Sequence, residues 1–99
     1  MLEREKSSKK TKQKENWSIY ILKCRDGSFY TGITKNIERR LKMHNDGTAS
    51  KYTRTRRPVE LAYQENCGTH AQALVRECQV KTFPKDKKLE LISDKNRDD

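Results

Sequence analysis

Between Trp17 and Ile33 the apolar positions fall into two short runs separated by a polar turn. "WSIYILKC" (Trp17 to Cys24) is rich in β-branched and aromatic residues and predicts a strand. Asp26-Gly27 is a hairpin signal, and "SFYTGI" (Ser28 to Ile33) predicts the return strand. The period then lengthens. In "TKNIERRLKMHNDG", Ile37, Leu41 and His44 recur at i, i+4 and i+7, which predicts a helix that Thr34 or Asn36 can cap and Gly47 can stop. Thr48 to Pro58 reads as a basic loop, and "VELAYQEN" (Val59 to Asn66) alternates as a third strand. Thr69 with Gln72 forms a capping box for a helix to about Thr82, with Ala71, Leu74, Val75 and Cys78 as its apolar face. Phe83-Pro84 ends it, and "PKDKKLELI" predicts a short last helix. The order β-β-α-β-α-α predicts an α+β fold, with a three-stranded antiparallel sheet flanked by helices.

Outside this block the pattern disappears. Residues 1–15 are polar and rich in Lys, Ser and Glu, and are expected to form a disordered basic arm. The ordered domain is expected over 16–92, followed by a polar, fraying tail over 93–99. With 99 residues, 31% of them hydrophobic and 37% charged, the core must be small. The net charge of +9 calls for an anionic partner, nucleic acid first and an anionic membrane surface second. No apolar run is long enough for a membrane span, and the first residues have no apolar centre for a secretory signal. Cys24, Cys67 and Cys78 are odd in number and widely spaced, which argues against a disulfide framework or a zinc site and for reduced thiols in the cytoplasm.

Several residues have two readings. On spacing alone Tyr20 and Tyr30 are ordinary half-buried strand tyrosines. Gly32 two positions on weakens a strand, and so marks a bulge or a close approach of backbone or ligand. Arg40 and His44 lie four apart on one helix face, at the border of the apolar stripe; the ordinary fates are a solvated charge and a capping histidine. Arg39 is expected to be solvated. Glu77 sits on the flank of its helix stripe, where an ion pair with Lys81 would contribute only ~0.3–0.5 kcal/mol. A lone carboxylate beside a basic sheet can instead hold a hard cation such as Mg²⁺.

Taken together, "SIY" (Ser18 to Tyr20), "YTG" (Tyr30 to Gly32), Arg40 with His44, and Glu77 resemble the motifs of the GIY-YIG nuclease domain in order and spacing. The resemblance covers about Asn16 to Ile92, and is nearest to the small bacterial members made of this domain alone. Ser18 stands for the first glycine and Thr31 for the isoleucine of that pattern. The asparagine that often follows the metal glutamate has no counterpart except Asn96 in the tail, and that role is not carried over.

The resemblance implies a GIY-YIG-like fold and metal-dependent hydrolysis of phosphodiester bonds in DNA, rather than RNA, in repair or recombination. One Mg²⁺ or Mn²⁺ would be held by Glu77. Tyr20 would serve as general base, Tyr30 would position water or phosphate, Arg40 would clamp a phosphate oxygen, and His44 would relay a proton or orient Tyr20. Gly32 would clear room for a phosphate. Lys35, Lys51, Arg54, Arg56 and Arg57 would follow the nucleic-acid backbone, four of them within seven loop positions. Larger members carry a targeting domain; here a monomer is expected, with targeting left to a protein partner. The competing reading is a non-catalytic nucleic-acid-binding module on the same fold.

Overall fold

The computed structural model describes residues 16–96. The expected basic arm lies outside the described residues, as do the last three positions. The elements are β1 (Trp17–Lys23), β2 (Phe29–Thr34), α1 (Ile37–Asp46), α2 (Lys51–Arg54), β3 (Glu60–Gly68), α3 (His70–Lys81) and α4 (Lys85–Asn96). The sheet is antiparallel in the order β2-β1-β3, so β1 is central. The α+β architecture predicted above is the one observed.

The hairpin closes through three loop residues. Gly27 N donates to Cys24 O (2.9 Å) and Cys24 N to Ser28 O (2.8 Å), with Gly27 at φ +87. Asp26 Oδ1 braces the turn by accepting from Ser28 N and Oγ. This turn sets the register, pairing Tyr20 with Gly32 and Leu22 with Tyr30. Even-numbered residues of both strands therefore share one face. There Tyr20, Leu22, Cys24 and Val59 form a core cluster against Tyr30, Ile37, Leu41 and Leu61. On the other face Ile19, Ile21 and Val80 pack with Phe29, Ile33, Tyr63, Cys67, Phe83 and Leu91.

Strand β3 departs from the simple alternation expected of it. Its pairing with β1 skips Ala62 and Cys67, two bulges that bend the strand. The Ala62 bulge turns Leu61 to the Leu22 side and leaves Tyr63 on the Ile21 side, although the two are only two residues apart.

α1 begins and ends where expected. The Asn36 side chain accepts from Arg39 N (3.0 Å), and Gly47 closes the helix at φ +86 while Thr48 N donates to Met43 O. The expected basic loop contains a short helix, α2, because the Ser50 hydroxyl accepts from Tyr52 N and starts a turn. Asn45 joins α1 to the chain entering β3: Val59 N donates to its Oδ1 (2.8 Å) and its Nδ2 donates to Val59 O (3.1 Å). Replacing Asn45 with alanine leaves both backbone groups without these partners. The expected cost is about 2 kcal/mol, read as a lower urea midpoint at unchanged slope.

The face of α3 is a correction. The capping box of Thr69 and Gln72 is present. Yet Leu74 and Val75 are 42% and 59% exposed, Ala71 and Cys78 are exposed too, and the inward positions are Ala73, Arg76, Glu77 and Val80. Hydropathy pointed the wrong way because two inward positions are charged. Arg76 Nε and Nη2 each reach Glu65 Oε1 at 3.3 Å, and Tyr63 Oη donates to the same oxygen at 2.6 Å. β3 thus holds α3 by a charged clamp. α4 is longer than expected and continues to Asn96, so Ser93 to Asn96, expected in the tail, belong to the helix.

Candidate active site

Register decides the relation between the tyrosines. Tyr20 and Tyr30 lie on one face as diagonal neighbours, with ring centroids 6.4 Å apart. His44, entering from α1, stands edge-on to both, 5.8 Å from the Tyr20 ring and 5.0 Å from the Tyr30 ring. Tyr52 of α2 continues the cluster beside Tyr30 at 6.0 Å.

A buried hydrogen-bond chain runs through this cluster. Tyr20 Oη lies 2.9 Å from His44 Nε2, and His44 Nδ1 lies 2.8 Å from Thr53 Oγ1. The Thr53 hydroxyl reaches Ser50 O at 3.4 Å. We assign the Thr53 proton to the Ser50 carbonyl, which can only accept. Thr53 then accepts from Nδ1–H, and Nε2 accepts from the Tyr20 phenol. His44 and Thr53 are wholly buried and Tyr20 nearly so. Thr53 was missed by sequence reasoning because its segment read as loop; the signal available was the Ser-x-x-Thr spacing that opens α2.

The electrostatics follow from burial. His44 is held at a pKa of about 4, first by loss of solvent and then by the nearby Arg40 charge, so its imidazole is neutral at pH 7. Tyr20 is pushed up to about 12, chiefly by burial; the Tyr30 and Glu77 charges add to this, and Arg40 opposes it through its hydrogen bond and its charge. Arg40 is half-buried, and its Nε is a buried donor with no protein partner. Arg40 also lines a cleft of about 170 Å³ with Thr34, Lys35, Asn36, Arg39 and Met43. Arg39, expected to be merely solvated, shares that cleft.

Gly32 has a different task from the one expected. A Cβ built there would lie 2.6 Å from Tyr20 Oη and 2.8 Å from Cζ. The space above Gly32 is filled by the Tyr20 phenol, not left open for a phosphate. The loop cations also divide. Arg56 Nε pairs with Asp26 (3.1 Å), its Nη1 donates to Tyr52 O, and its guanidinium lies 3.9 Å over the Tyr52 ring. It braces the hairpin tip against α2. Lys51 and Arg54 are exposed, and Lys35 lies 6.0 Å from the Trp17 ring.

Glu77 has its side chain 18% exposed and pairs with Lys81 Nζ at 3.3 Å. Among the described residues no group of three His, Cys, Asp or Glu is placed to hold a metal ion. The single carboxylate does not suit zinc, which takes several protein ligands. It suits a hard ion of the magnesium type, which keeps waters and takes phosphate oxygens. The exposed Lys81 ammonium now on this carboxylate would have to give way to such an ion.

Comparison with known proteins places the chain. The GIY-YIG catalytic domain matches residues 16–90, and the chain belongs to that family. Within it the chain resembles UPF0213 proteins. It is 57% identical to UPF0213 protein SSP2268 of Staphylococcus saprophyticus over 76 residues, 77% of this chain and 93% of that one. It is 48% identical to UPF0213 protein SH2523 of Staphylococcus haemolyticus, over 78% of this chain and 94% of that one. The solution NMR structure of UPF0213 protein BH0048 from Bacillus halodurans superposes with a TM-score of 0.51 at 41% identity, covering 79% of this chain and 83% of that one. Membership points to nuclease chemistry. No helix among the described residues is long and apolar enough to cross a membrane.

Proposed function

We propose that the protein hydrolyses phosphodiester bonds in DNA, with Mg²⁺ or Mn²⁺ held at Glu77. The observation that carries this reading is Arg40, a half-buried guanidinium beside the Tyr20 phenol whose buried Nε lacks a partner. A buried donor of this kind costs free energy until an anion meets it, and a phosphate oxygen suits the planar fork. Lys35 and Arg39 in the same cleft add charge for the same ligand.

Each residue then has one task. Tyr20 faces the attacking water with an oxygen lone pair while its phenolic O–H donates to His44 Nε2; on taking the water's proton it passes its own to Nε2. A pKa near 12 keeps Tyr20 a phenol at neutral pH, so base action needs further positive charge close by. A bound divalent ion would supply that charge and offset the charge developing on the phosphate. His44, neutral with a pKa near 4, holds that proton only in passing; its standing work is to fix the rotamer of Tyr20, and Thr53 fixes its tautomer. Tyr30 packs beside both rings and positions water or phosphate. Arg40 clamps the phosphate.

The rival binding module is favoured by one observation, the Glu77–Lys81 pair, which satisfies the carboxylate without a metal. One experiment separates the two. Wild type and Glu77→Ala are compared on single-stranded, duplex and branched DNA and on RNA, with Mg²⁺ or Mn²⁺ and with EDTA. Metal-dependent cutting by wild type, lost in Glu77→Ala while binding persists, is expected. Salt-sensitive binding with no cutting of any substrate would establish the binding module instead.

A further inference from the structure

α1 has a basic cleft at each end. Near its N-terminus lies the cleft of Lys35, Arg39 and Arg40. Near its C-terminus an open cleft of about 490 Å³ is lined by Arg25, Asn45, Arg54, Thr55, Arg57 and Pro58. Neighbouring residues serve the catalytic cluster and this second cleft in turn: His44 meets Tyr20 and Thr53 meets His44, while Asn45 and Arg54 line the cleft.

The second cleft is built rather than incidental. Arg57 Nε donates to Arg54 O (2.8 Å) and Nη1 to Asn45 O (3.4 Å), which fixes the guanidinium at the end of α1. Gly47 makes room for it, since a Cβ there would lie 2.8 Å from Arg57 Nη1. Arg25 arrives from the hairpin tip, tied by its N–H to Arg56 O (3.0 Å). Among the described residues no carboxylate lies within ion-pair distance of Arg25, Arg54 or Arg57, whereas the adjacent Arg56 is paired with Asp26. Three arginines thus line one cleft, none of them paired with a carboxylate among the described residues.

We infer that Arg25, Arg54 and Arg57 form a second phosphate site, which holds the backbone of a nucleic acid away from the phosphate being cut. The inference rests on the nucleic-acid reading above. No aromatic side chain lines the cleft, and its three arginines favour phosphate over base as the group it holds. Asn36 and Asn45 mark the two clefts and stand nine residues apart, roughly 14 Å along the axis of α1. One small anion cannot fill both, but a polyanion can.

The test is binding of a short duplex in EDTA over a range of salt, using wild type, Arg25→Ala, Arg54→Gln and Lys87→Ala. Lys87 lies on α4 over the Phe83 ring and controls for net charge. A parallel titration with inorganic phosphate follows the arginine Nε–H signals by NMR. Arg25→Ala and Arg54→Gln are each expected to weaken the duplex roughly fivefold at moderate salt, and to lower the salt slope by about one. Lys87→Ala should do neither, and phosphate should shift the Arg54 and Arg57 signals saturably. If wild type binds the duplex and all three variants lose equally, the cleft is not a site and only net charge matters. If phosphate saturates the cleft but the duplex does not compete, the site takes a free phosphate and the backbone assignment falls. If wild type binds no nucleic acid at all, the functional reading fails first, and this inference with it.

Discussion

Replacing Gly32 with alanine should remove at least a hundredfold of the cleavage rate, together with about 1–3 kcal/mol of stability. The new methyl group would stand 2.6 Å from Tyr20 Oη and 2.8 Å from its Cζ, closer than real contacts allow. The phenol cannot simply step aside. It is nearly fully buried, and its ring lies against Tyr30 and His44. Tipping it breaks the 2.9 Å contact with His44 Nε2 that orients its hydroxyl. Two measurements check this. The Tyr20 ring signals in NMR should shift in Gly32→Ala. Tyr20→Phe, which removes the closest atom, should make the alanine less costly to stability, so that the two changes are not additive. An active Gly32→Ala protein with unshifted Tyr20 signals would show that the site does not depend on this close approach.

The second large effect is on acid stability. His44 is neutral and held near pKa 4 in the fold, against about 6.5 in the unfolded chain. Above pH 6.5 neither state binds the proton and His44 contributes no pH dependence. Between pH 6.5 and 4 the unfolded chain takes up a proton that the native state refuses, so unfolding becomes easier as pH falls. Below pH 4 both states are charged and the contribution levels off. The full effect is about 3 kcal/mol, or more than 10 °C in Tm for a domain of this size. His44→Gln should be less stable than wild type at pH 7, because it disturbs the chain to Tyr20 and Thr53. It should then lose about 3 kcal/mol less than wild type on going to pH 4. Denaturant titrations at pH 7, 5.5 and 4 decide this, and equal slopes in both proteins would remove His44 as the cause.

The fold was legible where local chemistry dictates it. The Asp26-Gly27 turn, the Asn36 and Gly47 caps of α1 and the capping box of α3 are each written in a few adjacent residues. The site was legible as an ordered set of positions, but not as geometry. Only the hairpin register shows that Tyr30 faces the same way as Tyr20, and that Gly32 lies under the phenol. The face of α3 was misread because tertiary pairing overrides hydropathy: Arg76 is drawn inward by Glu65, a residue eleven positions away on another element. Thr53 and Tyr52 were passed over because a four-residue helix leaves no periodic signal. Arg56 and Arg57 look alike in sequence, yet one braces the hairpin and the other ends α1, a difference made by what each meets.

The bulge at Ala62 bears on how a chain of this design can vary in length. Leu61 and Tyr63 reach opposite faces of the sheet only because one extra residue, Ala62, lies between them while their partners on β1, Leu22 and Ile21, are adjacent. The strand therefore has a phase, set once at Ala62 and again at Cys67. Deleting or inserting a single residue there would exchange its inward and outward side chains all the way to α3, carrying the Glu65 anchor of Arg76 to the wrong side and moving Glu77 with its helix. The hairpin tip is constrained in the same way, because the turn from Cys24 to Ser28 sets the pairing of Tyr20 with Gly32. The interval from Leu61 to Cys67 likewise fixes the count of residues as firmly as their kind.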